Sequence, residues 1–198
     1  MFKQRLLSGI VLVAILAIVL YLGGMPTFAM AGIVSLIGYY ELLRIFQAEK
    51  SALAVICYTA SIFYYVLLAL ELTEFLLPVT LLLMIALLAC YVLTFPKFRF
   101  EQVAAAFFGF FYVTTMLSYV YQIRILKDGG IYVVLLFLSS WGNDTLAYCA
   151  GRLFGKHKMS PHLSPKKTIE GAVGGVIGAG LLGCLYSLIV MDMVLTDY

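Results

Sequence analysis

The sequence predicts an all-α fold, a polytopic bundle of about seven transmembrane helices. Of its 198 residues, 64% are hydrophobic and 12% are charged, and the mean hydropathy is +1.05. Soluble domains contain roughly 45–50% apolar and 25% charged residues, so this composition excludes a soluble domain. The apolar runs occupy odd and even positions alike, whereas strands of a membrane β-barrel alternate apolar and polar residues over about ten positions. Helices are therefore favoured, because they satisfy their own backbone hydrogen bonds within lipid.

Seven apolar runs approach the length of about 20 residues that crosses a bilayer. Glycine, proline or charged residues separate each run from the next. The first run follows Lys3 and Arg5 as in a signal peptide, but no A-x-A-like site precedes Gly23, so we predict an uncleaved helix. We expect one integral membrane domain over residues 1–198, with spans at 6–22, 27–43, 52–70, 75–95, 103–121, 131–150 and 168–190.

The basic residues predict the orientation of these spans. If the N-terminus is cytoplasmic, eleven of the thirteen Lys and Arg residues lie on the cytoplasmic side. Arg124 and Lys127 then lie outside, together with the acids Glu71, Glu74, Asp128, Asp192 and Asp197. This arrangement satisfies the positive-inside rule.

Some residues that often form sites give no such signal here. The cysteines stand singly in apolar runs, without metal-ligand spacing, and we expect them to be small buried residues: Cys57, Cys90, Cys149 and Cys184. His157 and His162 lie five apart in a basic loop and are interpreted as solvated.

The sixth span contains a polar cluster within LSSWGNDTLAYCAG, formed by Ser139, Ser140, Asn143, Asp144 and Thr145. Within a membrane span a carboxylate costs about 2.5–3.5 kcal/mol on insertion scales, so Asp144 needs a partner, a cation or a wet cavity. Ser140 lies four residues earlier, on the same helical face. We interpret Asp144 as metal-bound or cavity-lining; the alternative is a structural hydrogen bond between helices.

A basic loop follows the sixth span, with no acid before Glu170. Its five cations, together with the hydroxyl groups of Ser164 and Thr168, are suited to a polyanion such as a nucleoside triphosphate or a lipid phosphate. The alternative is that they contact anionic headgroups. The five are Arg152, Lys156, Lys158, Lys166 and Lys167.

The seventh span begins beside this loop. Thr168 can cap its helix, and Glu170 in the first turn is favoured by the helix dipole. The glycines of GAVGGVIGAG recur at three- and four-residue spacing, which indicates close helix packing. They are not a dinucleotide fingerprint, because no strand precedes them in a βαβ unit.

Several motifs resemble those of bacterial phosphatidate cytidylyltransferases, also called CDP-diacylglycerol synthases. They are FKQRLLSGIVL, TFPKF, FFGFFYV, WGNDTLAY and GRLFGKHKMSPHLSPKKTIEGAVGG, of which the last two are specific together. The resemblance covers nearly the whole chain. It implies transfer of a cytidylyl group from CTP to phosphatidate, with Mg²⁺ as cofactor, in the inner membrane of a bacterium with the basic loop cytoplasmic.

The resemblance also implies roles for individual residues. Asp144 would face the metal and act with Lys166 and Lys167 as catalytic residues. Ser164 and Thr168 would hold phosphate groups with these lysines, and Glu170 would support the loop. We add four further substrate-binding candidates from the polar cluster and the basic loop: Ser140, Asn143, Lys156 and Lys158.

One departure from the family pattern concerns the C-terminus. Members end with a lysine-aspartate pair, His-Gly-Gly and an Asp-Arg-x-Asp run, which supply metal-binding acids, and the chain stops at Tyr198 without them. We therefore expect a truncated chain that is inactive alone. Expected partners are CTP, phosphatidate and the bilayer, no nucleic acid, and a homodimer is one option for assembly. Alternative functions are cytidylyl transfer to another lipid phosphate or cation-coupled transport.

Overall fold

The computed structural model describes residues 2–162 and 164–196. It divides into two compact units, one ending at Leu126 and the other beginning at Lys127, and each is described by itself. The first unit contains α1 (Phe2–Leu22), α2 (Gly24–Ile45), α3 (Ala52–Ala69), α4 (Leu76–Leu93), α5 (Phe100–Gly109) and α6 (Met116–Arg124). The second contains α7 (Gly129–Phe154), β1 (Lys158–Ser160), β2 (Ser164–Thr168) and α8 (Ile169–Thr196).

The prediction of a helical membrane fold is confirmed. Within the described residues, five helical segments are long and apolar enough to cross a membrane: Gly24–Ile45, Ala52–Ala69, Thr73–Leu93, Phe100–Arg124 and Ile169–Val190. Within α1, the apolar segment Gly9–Leu22 is shorter than these five. The 26-residue α7 has the length but not the hydropathy, because its polar cluster interrupts the apolar run. The prediction of a single membrane domain stays a prediction.

In the first unit, α2 buries one ridge of its surface. The ridge consists of every fourth residue: Thr27, Ala31, Ser35, Tyr39 and Leu43. Residues four apart are neighbours on a helix surface and pack as a row against other helices. This ridge meets α3, α5 and α6, so α2 is the central helix of the unit.

Hydroxyl pairs join the helices inside this core. Ser35 Oγ lies 2.7 Å from the Tyr65 hydroxyl, and Ser61 Oγ lies 2.8 Å from Thr114 Oγ1. All four groups are buried. In lipid, apolar contact alone distinguishes poorly between helix neighbours, and such hydrogen bonds contribute to their association.

A π-helical segment, Phe110–Thr115, joins α5 to α6 and was not predicted from the sequence. Beside it, the buried Tyr39 hydroxyl donates to the Ala106 carbonyl oxygen. The ring of Tyr39 lies over Gly109, where an added Cβ would come 2.8 Å from its Cε2 atom. Wide helical turns of this kind depend on tertiary contacts, which the hydrophobic pattern does not report.

Two side chains tie helix ends together at opposite ends of the first unit. Arg124 donates from Nε to the Leu20 carbonyl at 2.7 Å and from Nη2 to the Tyr21 carbonyl at 3.2 Å. Gln102 donates from Nε2 to the Phe46 carbonyl at 2.9 Å. The end of α1 thus lies beside the end of α6, as alternate membrane crossing requires.

In the second unit, α7 and α8 form an antiparallel pair with close backbones. A Cβ on Gly171 would lie 2.8 Å from the Ala147 carbonyl oxygen and 3.1 Å from Gly151 Cα. A Cβ on Gly175 would lie 2.7 Å from Asn143 Oδ1 and 2.8 Å from Ala147 Cβ. The expected packing role of the glycines is therefore confirmed.

The connection between α7 and α8 contains a small antiparallel hairpin that the sequence did not predict. Lys158 pairs with Thr168 and Ser160 pairs with Ser164, with a shift of register between the two pairs. In addition, α7 continues to Phe154, four residues past the predicted end of the sixth span.

The expected burial of the cysteines is wrong for two of the four. Cys57 is buried and Cys90 is half-buried, whereas Cys149 and Cys184 are exposed on the surface of the chain. A residue in an apolar run can face lipid as readily as the protein interior. The run therefore does not decide whether a cysteine is buried within the protein.

Some predicted positions lie outside the described part of the chain. They are the side chains of Lys3, Arg5 and Asp192 and the whole of Asp197.

The close contact of α7 and α8 predicts that Gly175→Ala destabilises the second unit. The added methyl group overlaps Asn143 and Ala147, and such overpacking costs about 1–3 kcal/mol. SDS titration of the protein in mixed micelles measures this fall in the free energy of unfolding.

Gly180→Ala is the matched control. Gly180 lies in the same helix, and a Cβ there meets nothing within 4 Å. Both substitutions raise helix propensity equally. Equal stability of the two variants would contradict the packing assignment.

Candidate functional site

Asp144 lies deep within α7, ten residues before the helix ends at Phe154. At 1.5 Å per residue, this is about 15 Å from the helix end. Asp144 and Ser140, one turn earlier, are both exposed on the surface of the chain. No ion pair in the described part of the chain includes this carboxylate. Asp144 is therefore open to a ligand or a cation.

Asn143 lies on a different face of α7. It is half-buried, and its Oδ1 atom occupies the space beside Gly175. The structure thus separates Asn143, which packs against α8, from the exposed pair of Ser140 and Asp144. Its predicted role in substrate binding stays a prediction.

The lysines predicted for the site lie on or beside the hairpin and are exposed: Lys156, Lys158, Lys166 and Lys167. The ion pairs found in residues 2–162 and 164–196 include none of them. The hairpin therefore presents positive charge that the described acids do not neutralise. Uncompensated lysines grouped in this way attract polyanions.

The hairpin register brings Lys166 and Lys167 into a bulge. Lys158 and Ser160 are two residues apart, whereas their partners Thr168 and Ser164 are four residues apart. One residue of β1 therefore faces three residues of β2, and both lysines lie in this longer stretch. Ser164, which is half-buried, forms one end of the bulge and the buried Thr168 forms the other.

Thr168 fixes the junction between β2 and α8. Its Oγ1 atom accepts a hydrogen bond of 3.2 Å from the Gly171 N–H, so the predicted helix cap is confirmed. Added Cβ atoms on Gly151 and Gly155 would lie 2.9 and 2.8 Å from this oxygen. These glycines leave space for Thr168 against the end of α7.

Glu170 holds the start of the basic loop against α8. Its carboxylate accepts the N–H of Lys156 at 3.1 Å and that of His157 at 3.2 Å. The Nδ1 atom of His157 lies 2.6 Å from Oε1, where a ring N–H donates to the carboxylate. Glu170 thus contacts the loop; direct contact with a substrate stays a prediction.

Two features of this site were missed in the sequence. His157 is exposed, as expected of a solvated residue, but it pairs with Glu170, thirteen positions away. Tyr148 accepts a hydrogen bond of 3.3 Å from Arg152 Nη1, and these two residues continue the four-residue spacing of Ser140 and Asp144 along α7. The four-residue spacing of these residues was a readable signal for the second feature.

The acids of the site allow one mode of metal binding. The described residues contain no group of three His, Cys, Asp or Glu side chains that could enclose a metal ion. Mg²⁺ often binds through one or two carboxylates and substrate phosphates while keeping several waters. The exposed Asp144 fits that mode, whereas Glu170 already accepts hydrogen bonds from the loop.

The bonds of Glu170 predict faster amide exchange at Lys156 and His157 in Glu170→Ala. Hydrogen bonds to a carboxylate are about twice as strong as neutral ones, and we expect an increase of about tenfold. Hydrogen–deuterium exchange of the loop peptide measures it.

Glu101→Ala is the control, because Glu101 is likewise the second residue of a helix. An unchanged exchange rate in Glu170→Ala would show that this carboxylate does not hold the loop.

Comparison with known proteins identifies the family. The description "Cytidylyltransferase family" belongs to the family model that matches residues 3–196. The phosphatidate cytidylyltransferase of Staphylococcus haemolyticus is 34% identical over 179 residues, covering 88% of this chain and 68% of that protein. The Bacillus subtilis enzyme of the same name is 26% identical over 194 residues, covering 94% of this chain and 72% of that protein. The Thermotoga maritima enzyme is 39% identical over 99 residues, or 50% of this chain and 36% of that protein. From the second residue of α1 to the end of α8, the chain belongs to the cytidylyltransferase family.

Proposed function

We propose that the protein transfers a cytidylyl group from CTP to phosphatidate, giving CDP-diacylglycerol and pyrophosphate. The single observation that carries this proposal is the basic hairpin, whose lysines have no acidic partner in the described residues. A triphosphate carries the opposite charge to this surface. The relatives named phosphatidate cytidylyltransferase support the same reaction.

The reaction requires charge neutralisation more than acid–base chemistry. A phosphate oxygen of phosphatidate attacks the α-phosphorus of CTP, and a new P–O bond forms. The bond between the α-phosphorus and the bridging oxygen breaks, and pyrophosphate leaves with the electron pair. Because the attacking oxygen is already an anion, no strong protein base is needed.

We propose Lys166 and Lys167 as the catalytic cations of the hairpin. Lysine supplies a compact charge to phosphate oxygens and can follow the charge that builds up on the leaving group. Lys156 and Lys158 lie on the adjoining part of the hairpin and add to its charge. Ser164, at the edge of the bulge, supplies a neutral donor.

Asp144 is the residue proposed to hold Mg²⁺. When bound, the ion would neutralise phosphate charge and orient the triphosphate. The carboxylate of Asp144 would hold that cation near the membrane. Ser140, one turn along α7, would line the same surface.

The protein is an integral membrane protein, and we propose the bacterial inner membrane with the hairpin on its cytoplasmic side. CTP is a soluble cytoplasmic nucleotide and phosphatidate is a lipid, so the reaction needs a site at that boundary. The distribution of basic residues supports this orientation. A homodimer stays a prediction.

The test is transfer of label from CTP into lipid by the purified protein, expressed as the full product of its gene. Lys166→Ala with Lys167→Ala is expected to lower kcat/KM by about 100-fold or more, as loss of transition-state charge stabilisation does. Thin-layer separation of labelled CDP-diacylglycerol measures it.

Lys50→Ala is the control, because Lys50 is exposed in another loop and belongs to neither the hairpin nor α7. Absence of label transfer by the wild-type protein, with an active synthase alongside, would refute the proposal. Transfer to a polyprenyl phosphate but not to phosphatidate would change the acceptor.

A further inference from the structure

A polar ridge runs along α7 from its middle towards the basic hairpin. It consists of Ser140, Asp144, Tyr148 and Arg152, which follow one another at four-residue steps. All four are exposed on the surface of the chain, with 66% of Tyr148 accessible. At 1.5 Å per residue the ridge spans about 18 Å.

The hairpin end of the ridge is ordered by a hydrogen bond. Arg152 donates from Nη1 to the Tyr148 hydroxyl at 3.3 Å. The ion pair found among the described residues of the second unit joins His157 to Glu170 and does not include Arg152. The guanidinium group is thus held by a neutral partner and keeps its full charge for a ligand.

The closest approach of α7 and α8 involves residues other than those of the ridge. The α7 residues that lie against glycines of α8, or against Leu182 in the case of Gly142, are Leu135, Gly142, Asn143, Leu146, Ala147, Ala150 and Gly151. The ridge residues are absent from this set of close contacts. Because all four ridge residues are exposed, the second unit leaves the ridge open along its length.

A ridge that faced acyl chains would be a poor place for Asp144. An acid within the hydrocarbon of a membrane costs about 2.5–3.5 kcal/mol on insertion scales, so Asp144 belongs on a polar surface. Tyrosine and arginine alone could be interfacial anchors in contact with lipid. Their position on the same ridge as Asp144 and Ser140 argues instead that all four line one polar surface.

We infer that Arg152, positioned by Tyr148, binds a phosphate group of a substrate at the hairpin end of this ridge. The inference rests on the proposed function and adds two residues to its site. A guanidinium group presents a planar fork of N–H donors that matches two phosphate oxygens. Its hydrogen bond to Tyr148 limits the orientations of that fork. Tyr148 is a positioning residue, since it acts through Arg152.

The phosphate belongs either to CTP or to phosphatidate, and kinetics distinguish these sources. Arg152→Ala is expected to raise KM about tenfold for the substrate whose phosphate it binds, as expected for loss of a charge-assisted hydrogen bond, with a smaller change in kcat. A rise for CTP alone identifies the nucleotide, and a rise for phosphatidate alone identifies the lipid. Unchanged KM values for both would overturn the inference.

Tyr148→Phe removes only the hydroxyl and is expected to raise the same KM about threefold, because it frees the guanidinium group. In the Arg152→Ala background the same change should have no effect, since Tyr148 acts through Arg152. Tyr132→Phe, an exposed tyrosine near the start of the same helix, is the control. Additive effects of the two substitutions would overturn the positioning role.

A second readout separates this inference from the proposed function. Binding of labelled inorganic pyrophosphate to the full protein in nanodiscs requires no turnover. Weaker binding in Arg152→Ala, by about tenfold, supports the phosphate site even if no cytidylyl transfer is found. Active enzyme with unchanged kinetics and unchanged pyrophosphate binding in Arg152→Ala overturns the inference while leaving the proposed function intact.

Discussion

The close contact between α7 and α8 sets the position of every candidate residue in the second unit. Glycine at positions 171 and 175 lets the two backbones approach, because any larger residue would overlap Ala147 or Asn143. This contact places the end of α7 beside the start of α8, and the hairpin must close over a short distance. Thr168 fits between Gly151, Gly155 and Gly171, and its hydroxyl caps α8. The lysines are therefore presented on a short, anchored hairpin.

Charge at this hairpin is arranged so that the acid supports the loop without neutralising the lysines. Glu170 accepts backbone N–H groups of Lys156 and His157, together with the His157 ring. The lysine side chains remain unpaired within the described residues. Deeper in α7, Asp144 supplies an acid suited to a cation. A membrane enzyme that joins a soluble triphosphate to a lipid phosphate needs both signs of charge near the interface. Basic residues bind the anionic substrates, and acidic residues bind the cations that accompany them.

The first unit is held by a different balance of forces. Its central helix, α2, buries a ridge of residues against its neighbours. Hydroxyl pairs such as Ser35 with Tyr65 add directional hydrogen bonds to that packing. The sequence predicted five helical spans in this unit, since length and hydropathy are local properties, and the structure divides the last of them into α5, a π-helical segment and α6. It did not indicate the π-helical segment, the hydroxyl pairs, or which cysteines are buried. Those depend on the neighbour that each helix face meets.

The sequence by itself determined a helical membrane protein, the polar cluster around Asp144, the basic loop and the family, because apolar run length, charge and motif spacing are all written in consecutive residues. Only the tertiary structure decided that the loop folds as a hairpin, that His157 bonds to Glu170, and that Asn143 turns towards α8 while Tyr148 and Arg152 share the ridge of Asp144. These outcomes depend on which residues the pairing of α7 and α8 brings together. The two members of such a contact lie far apart in the chain, and a local pattern carries no record of their distance in space.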